Sequence, residues 1–239
     1  MSEEYLVQYC APTLAGIKTG NLFSCVCDDR ADVNDTIRSV NLRLGKKGLR
    51  LLLLRFTDNR ALLYLYRPSR LRLDLSHPEA KALLEDAGYE DLRSDRCVGE
   101  LIRRLRCGDG FPHEIGLFLS YPPEDVRGFI ENRGRNCILC GLWKVYGNAA
   151  KAADLFHRYQ RCTDIYRRQR IKGISIDRLA VAEAKSEVFL LPFLMIPSPV
   201  GTCSKEVLQR NVTIVFRFRI DFLCFSAYNG SRKFLLSNL

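Results

Sequence analysis

Cys10, His113 and Glu114 are the residue types of a thiol nucleophile, the base that ionises it and the carboxylate that orients the base. United by the fold, they would form the triad of a thiol-dependent hydrolase or transferase. His113 and Glu114 head an apolar run, residues 113–120, that reads as a strand. Adjacent strand side chains point to opposite faces, so Glu124 or Asp125 is the better partner for His113. The competing reading is a buried Cys10 and a structural His113 hydrogen-bonded near Pro112.

Cys137 and Cys140 have the spacing of metal and redox motifs, and His157 or Cys162 further on would be additional ligands. Structural zinc takes four ligands, as a rule from two paired motifs, and the second pair is missing. Thioredoxin-like chemistry places its pair at a helix N-terminus, whereas residues 137–146 read as a strand. No metal is assigned, and packed thiols are the expectation. Cys25 and Cys27 share a strand face, as any pair at that spacing does.

Gly16-Ile17-Lys18-Thr19-Gly20 has the glycines, lysine and hydroxyl of a phosphate loop, without the order in which the second glycine directly precedes lysine. Lys18 and the loop N–H groups can still take an anion. Lys144, beside Trp143 and near Tyr146, sets a cation against aromatic faces, a combination that recognises planar or anionic groups. Lys18, Trp143, Lys144 and Tyr146 are therefore the candidate ligand contacts, with a pocket expected near residues 13–18, 113–114 and 143–146. A basic cluster, His157, Arg158, Arg161, Arg167, Arg168, Arg170 and Lys172, interleaves with Tyr159 and Tyr166. It is the best footprint for RNA or an acidic partner, although a solvated helix face explains it without a recognition fold.

The elements that must position these residues alternate between helix and strand. A helix over residues 3–10 precedes a loop and a short strand. Asp32 caps a helix with Val33, Ile37, Val40 and Leu44 inward, stopped at Gly45 or Gly48. Residues 49–56 and 61–66 read as strands joined by Thr57-Asp58-Asn59-Arg60. Pro68 breaks the sheet, Ser76 caps a helix ending at Gly88, and another helix covers 95–107. Strand 113–120, a helix begun at Pro122-Pro123 and closed by Gly134, and strand 137–146 have the length of a βαβ unit. Asn148 caps the longest helix, to about Arg170. The fold class is α/β: a single domain with a small mixed sheet and packed helices, plus a C-terminal extension.

With 239 residues, 47% of them hydrophobic, the chain has enough apolar surface for a real core. Thirty-seven lysines and arginines against 27 acidic residues leave +10, which suits nucleic acid, anionic lipid or acidic protein without choosing among them. No nucleic-acid motif accompanies the charge, so that partner is not favoured. The start is acidic and lacks the basic and apolar regions of a secretory signal, which with ten cysteines points to free thiols and a cytoplasmic location. The longest apolar run, residues 188–199, is interrupted by Pro192 and falls short of the ~20 residues of a membrane span. Composition shifts near Lys185: seven of the 13 phenylalanines and only three acidic residues lie in 186–239. Residues 1–185 are thus the expected domain, and 186–239 an atypical extension whose one clear element is an alternating strand pattern at 214–222.

CAPTLAGIKTGNLFSC at 10–25, LLYLYRPSRL at 62–71, FPHEIGLFLSYPPEDVRGFIENRGRNC at 111–137 and LWKVYGNAAKAADLFHRYQRCTDIY at 142–166 together resemble a bacterial family, domain of unknown function 3793. The resemblance spans about residues 5–185. In the family pattern a glycine usually precedes YPPEDV, where this chain has Ser120, and an aromatic or cysteine precedes WKVY, where it has Leu142. The resemblance implies a cytosolic bacterial protein and brings no activity, cofactor or site residue with it. The functional expectation is a small-ligand or partner-binding accessory protein. The alternatives are a thiol-dependent enzyme using Cys10 and His113, and an RNA- or acidic-partner-binding module.

Overall fold

The computed structural model describes residues 3–107 and 110–183. The chain runs through α1 (Glu3–Leu14), strand β1 (Gly20–Val26), α2 (Arg30–Leu44), a 3-10 turn at Gly45–Lys47, and the strands β2 (Arg50–Thr57) and β3 (Arg60–Tyr66). Then come α3 (Pro68–Ser76), α4 (Pro78–Asp86), α5 (Ser94–Cys107), α6 (Ile115–Phe118) and α7 (Pro123–Glu131). The strands β4 (Leu139–Cys140) and β5 (Lys144–Val145) precede the long α8 (Ala149–Ile171) and the short α9 (Ile176–Leu179). All lie within one compact unit, Met1–Gly108 with Pro112–Glu183. The extension at 186–239, with its pattern at 214–222, lies outside the described residues.

The architecture is mixed α/β, built around the expected hairpin. Asp58 and Asn59 have φ of 51° and 55°, the left-handed pair that a two-residue type I′ turn requires and that these residue types tolerate best. β3 is the central strand, antiparallel to β1 on one side and β2 on the other, with Leu63 opposite both Phe23 and Leu53. Helix α1 lies on β1 and against α8. Leu6, Val7, Cys10 and Leu14 pack there with Phe23, Val40, Leu44, Leu63 and Leu65 in one buried cluster.

Several expectations are corrected. Among the described residues every strand pairing is antiparallel, so the sheet is not mixed and no βαβ crossover exists. Residues 113–120 are not a strand: Ile115, Gly116 and Leu117 donate to the carbonyls of Pro112, His113 and Glu114 at 3.3, 3.3 and 3.0 Å, winding the segment into a turn and α6. A short apolar run buried all round has no period to separate strand from helix, and local hydrogen bonds settle the matter here. Of 137–146 only two residue pairs, Leu139 with Val145 and Cys140 with Lys144, join in a ladder. Pro68, read as a breaker, occupies the first turn of α3, where its missing N–H costs nothing. Ser76 therefore ends α3 instead of capping α4, and His77 takes the cap position. Helix α2 begins earlier than expected because Asp29, not Asp32, accepts the Ala31 N–H, at 2.8 Å. Helix α1 continues past Cys10 to Leu14 with Pro12 inside it.

Arg67, which the sequence did not single out, fastens the ends of several elements. It is 1% exposed. Its guanidinium donates to the carbonyls of Thr13 (2.8 Å), Leu14 (3.0 Å), Lys47 (3.2 Å) and Val181 (2.7 Å). One side chain thereby satisfies carbonyls from the end of α1, the 3-10 turn and the segment after α9. No described helix is long and apolar enough to cross a membrane.

Candidate functional site

The Lys18 loop and the Trp143 hairpin do meet, through Tyr121, which the sequence reading left aside, and Tyr159, which it placed only among the basic residues of the long helix. Pro12 carbonyl oxygen accepts from the N–H groups of Ile17 (3.0 Å) and Lys18 (3.1 Å), folding the loop back onto α1. Lys18 is 4% exposed. Its ammonium stands 5.3 Å from the ring centre of Tyr121 and 5.9 Å from that of Tyr159, within the range of cation–π attraction. Tyr121 stacks on Trp143 at 4.8 Å, and Trp143 meets Phe156 edge-on at 4.5 Å. The rings and Lys18 fill the space between loop and hairpin, so Trp143 is core.

Asp125 explains why the PPEDV and WKVYG segments occur together. Buried to 3% exposure in the first turn of α7, its carboxylate accepts the Trp143 indole N–H (2.7 Å) and the N–H groups of Tyr146 (2.7 Å) and Gly147 (2.8 Å). It orients the hairpin. Gly128, one turn on, lets the Tyr146 side chain lie on α7, because a Cβ there would run into Tyr146 Cβ and Cγ. The Tyr146 hydroxyl is buried without a hydrogen-bond partner among the described residues. Lys144 donates to the Gly134 carbonyl at 2.5 Å and lies 5.9 Å from the Phe129 ring centre. His113 meets the same Phe129 ring at 5.1 Å.

Cys10 is 0% exposed inside the apolar cluster under β1, a setting that offers a substrate no direct approach. Glu114 is buried as well; it accepts from the Tyr89 hydroxyl at 3.1 Å and pairs with Arg104 at 3.3 Å. Arg104 lies over the Tyr89 ring at 4.2 Å and also pairs with Glu100 at 2.8 Å. The Glu114 carboxylate is thus taken up in a network with Tyr89 and Arg104. Among the described residues every cysteine is a free thiol, and no group of three or more His, Cys, Asp or Glu is gathered to hold a metal.

The Ser120 position has a backbone reason. Its φ is +58°, in the left-handed region that favours glycine. The serine hydroxyl offsets the strain by accepting the N–H of buried Thr19 at 2.9 Å. Ser120→Ala keeps the strain and leaves that N–H without its acceptor, an expected loss of about 1–3 kcal/mol. Ser120→Gly loses the bond but regains about 1 kcal/mol of backbone strain, so it should fall between alanine and wild type. Urea midpoints of the three proteins check this order.

An open groove of about 790 Å³ lies elsewhere, between α2, the 3-10 turn, β2 and α3. Asn41 fixes α2 to the sheet, its side chain exchanging hydrogen bonds of 2.9 and 2.8 Å with the Leu51 backbone. Arg38, Arg50 and Arg72 line the groove. Arg38 makes only an exposed pair with Asp35, at 3.1 Å; Arg50 and Arg72 have no side-chain hydrogen bond or ion pair among the described residues. At one edge a carboxylate is already bound: Glu183 accepts from Ser69 Oγ, in the first turn of α3, at 2.6 Å and lies 3.8 Å from Arg67. Gly48, with φ +78°, makes room for it, since a Cβ there would stand 2.5 Å from a Glu183 oxygen. The first turn of a helix presents unsatisfied N–H groups and a partial positive charge, so this arrangement suits anions. The sequence missed the groove because its arginines come from three separate elements and form no motif.

A family model described as a protein of unknown function, DUF3793, matches residues 6–180. No curated protein and no solved structure matches the chain.

Proposed function

The chain belongs to the DUF3793 family of proteins of unknown function, a membership that carries no activity with it, and we propose from its own geometry that it is a cytosolic binding protein for a small anionic ligand. The observation that carries this reading is the groove wall of Arg38, Arg50 and Arg72, cations supplied by three elements and, among the described residues, without a buried acid partner. A volume of about 790 Å³ falls in the range of small-molecule sites. Planar guanidinium groups take phosphate or carboxylate oxygens in pairs, which a lysine-lined groove would not do. The Glu183 carboxylate at Ser69 supports the reading, because it is an anion held at the groove edge by a hydroxyl in a helix first turn. Free thiols among the described cysteines suit a reducing compartment.

Calorimetric titration of the full chain with inorganic pyrophosphate and with a nucleoside triphosphate tests the proposal. Saturable binding is expected, weakened by added salt and by about tenfold, or ~1.4 kcal/mol, for each of Arg50→Ala and Arg72→Ala. Both side chains are exposed, so the variants should keep the fold. Absence of heat with either probe, or the same affinity in the double variant, would overturn it.

A further inference from the structure

The groove leaves unused a pair of sulfurs at the end of the edge strand β1. Cys25 Sγ and Cys27 Sγ are 3.3 Å apart, too far for a bond of about 2.05 Å and too close for two sulfurs that ignore one another. Cys25 is 2% exposed and belongs to the core cluster, whereas Cys27 is partly exposed and packs against that cluster from outside. Among the described residues β1 pairs only with β3, and its ladder runs out at Val26 opposite Arg60. Cys27 is held just beyond by one N–H bond to the Asn59 carbonyl at 2.9 Å. The pair therefore has a buried inner sulfur and an approachable outer one, whose thiol also donates to the Cys25 carbonyl at 3.4 Å, at the last residues of a strand.

We infer that Cys25 and Cys27 are a redox-active dithiol that reduces low-molecular-weight disulfides. Cys27, the approachable sulfur, attacks a disulfide RSSR as its thiolate, forming a mixed disulfide and expelling RS⁻. Cys25 then attacks the Cys27 sulfur, closing the Cys25–Cys27 bond and breaking the bond to the second RS group, which leaves with the Cys25 proton as RSH. The thiolate RS⁻ of the first step takes up the proton that Cys27 gave to solvent. The sum is two protein thiols and RSSR giving one protein disulfide and two RSH.

The assignment of attacker and resolver follows from the surroundings. Burial, reinforced by the adjoining Cys27 sulfur, pushes the Cys25 thiol up to about 12, so at neutral pH it waits as a thiol until Cys27 is engaged. Strand residues two apart have Cα atoms about 6.4–6.8 Å apart, at the outer edge of disulfide geometry. The closed form is accordingly strained, and strained disulfides are the ones readily reduced again. That property belongs to an exchanging centre and not to a structural bridge.

The experiment uses the full chain, because trypsin isolates the pair: cleavage after Lys18 and Arg30 gives peptide 19–30, which contains Cys25 and Cys27 and no other cysteine. The protein is incubated in glutathione buffers of rising oxidised fraction, quenched with acid, alkylated in denaturant and digested. Peptide 19–30 is expected to pass from doubly alkylated to unalkylated and two hydrogens lighter as the buffer becomes more oxidising, and to return on reduction. Cys25→Ser should instead accumulate a glutathione adduct on Cys27. Two outcomes overturn the inference: a peptide that stays doubly alkylated while exposed Cys107 and Cys140 are oxidised, or a wild-type adduct that stops at Cys27. Both readings come from the wild-type chain as well as the variant, so failure of a variant to fold leaves the test intact. Pyrophosphate binding in the groove neither supports nor removes this dithiol.

Discussion

Replacing Arg67 with methionine is expected to lower stability by about 2–4 kcal/mol, because it removes a buried guanidinium that donates to four carbonyls. Folded domains are stable by about 5–15 kcal/mol in all, so this single change consumes a large part of the margin. Methionine roughly matches the length of the arginine stem and is apolar, so the loss is not mainly one of packing. Four carbonyl oxygens, of Thr13, Leu14, Lys47 and Val181, lose the guanidinium as a donor; the first three keep one backbone N–H each, from Gly16, Val181 and Glu183, whereas that of Val181 keeps none among the described residues. Burial pulls the Arg67 pKa down, yet an arginine remains protonated in proteins. Arg67→Lys keeps the charge but not the fork: one ammonium cannot reach carbonyls spread around a planar guanidinium. It should therefore lose about 2 kcal/mol or more. Urea unfolding followed by far-ultraviolet circular dichroism measures both variants. A methionine variant within about 1 kcal/mol of wild type would mean that the carbonyls find other partners.

Asp125→Ala is expected to lose about 2–4 kcal/mol and to loosen the hairpin around Trp143, since three N–H groups then lose a charged acceptor. Asp125→Asn tests the geometry more sharply. Its side-chain oxygen can serve the Tyr146 and Gly147 N–H groups or the indole, but its amide nitrogen then faces the remaining donor. Trp143 is the only tryptophan and is 7% exposed, so its fluorescence reports on this region alone. A red-shifted emission below the main urea transition is expected for both variants. Emission and circular dichroism that change together at the wild-type midpoint would show that the α7–hairpin contact is held by ring packing instead.

Several elements could be read directly because their signals are local. The 58–59 turn needed two residues tolerant of positive φ, and Asp58 and Asn59 supplied them. Asn148 caps α8 through the Lys151 N–H at 2.9 Å, the bond that its residue type and place promised. Gly88 and Gly134, proposed as stops, both have positive φ just beyond α4 and α7. The misread segments, 113–120 and 137–146, are those whose backbone partners depend on what surrounds them. A continuous apolar run records burial without recording which hydrogen bonds the burial permits.

The candidate sites divide in the same way. Lys18 and Trp143 were chosen for residue type, and the fold brings them to one ring cluster, although Tyr121 and Tyr159, which join them, were not foreseen in that role. Cys10 and Glu114 were chosen on type as well, and their surroundings are an apolar cluster and an arginine–tyrosine network. Arg67 had no sequence signal because its partners are carbonyls, which every residue carries.

Taken alone, the sequence determined the family, the α/β class, the central hairpin and the long capped helix, since each is written in contiguous residues acting over a turn or two of chain. Only the tertiary structure decided which charges are buried, which arginines come together along the groove of Arg38, Arg50 and Arg72, and which two sulfurs lie 3.3 Å apart at a strand end. Those properties depend on distance and solvent access between residues, and a linear order of residue types fixes neither.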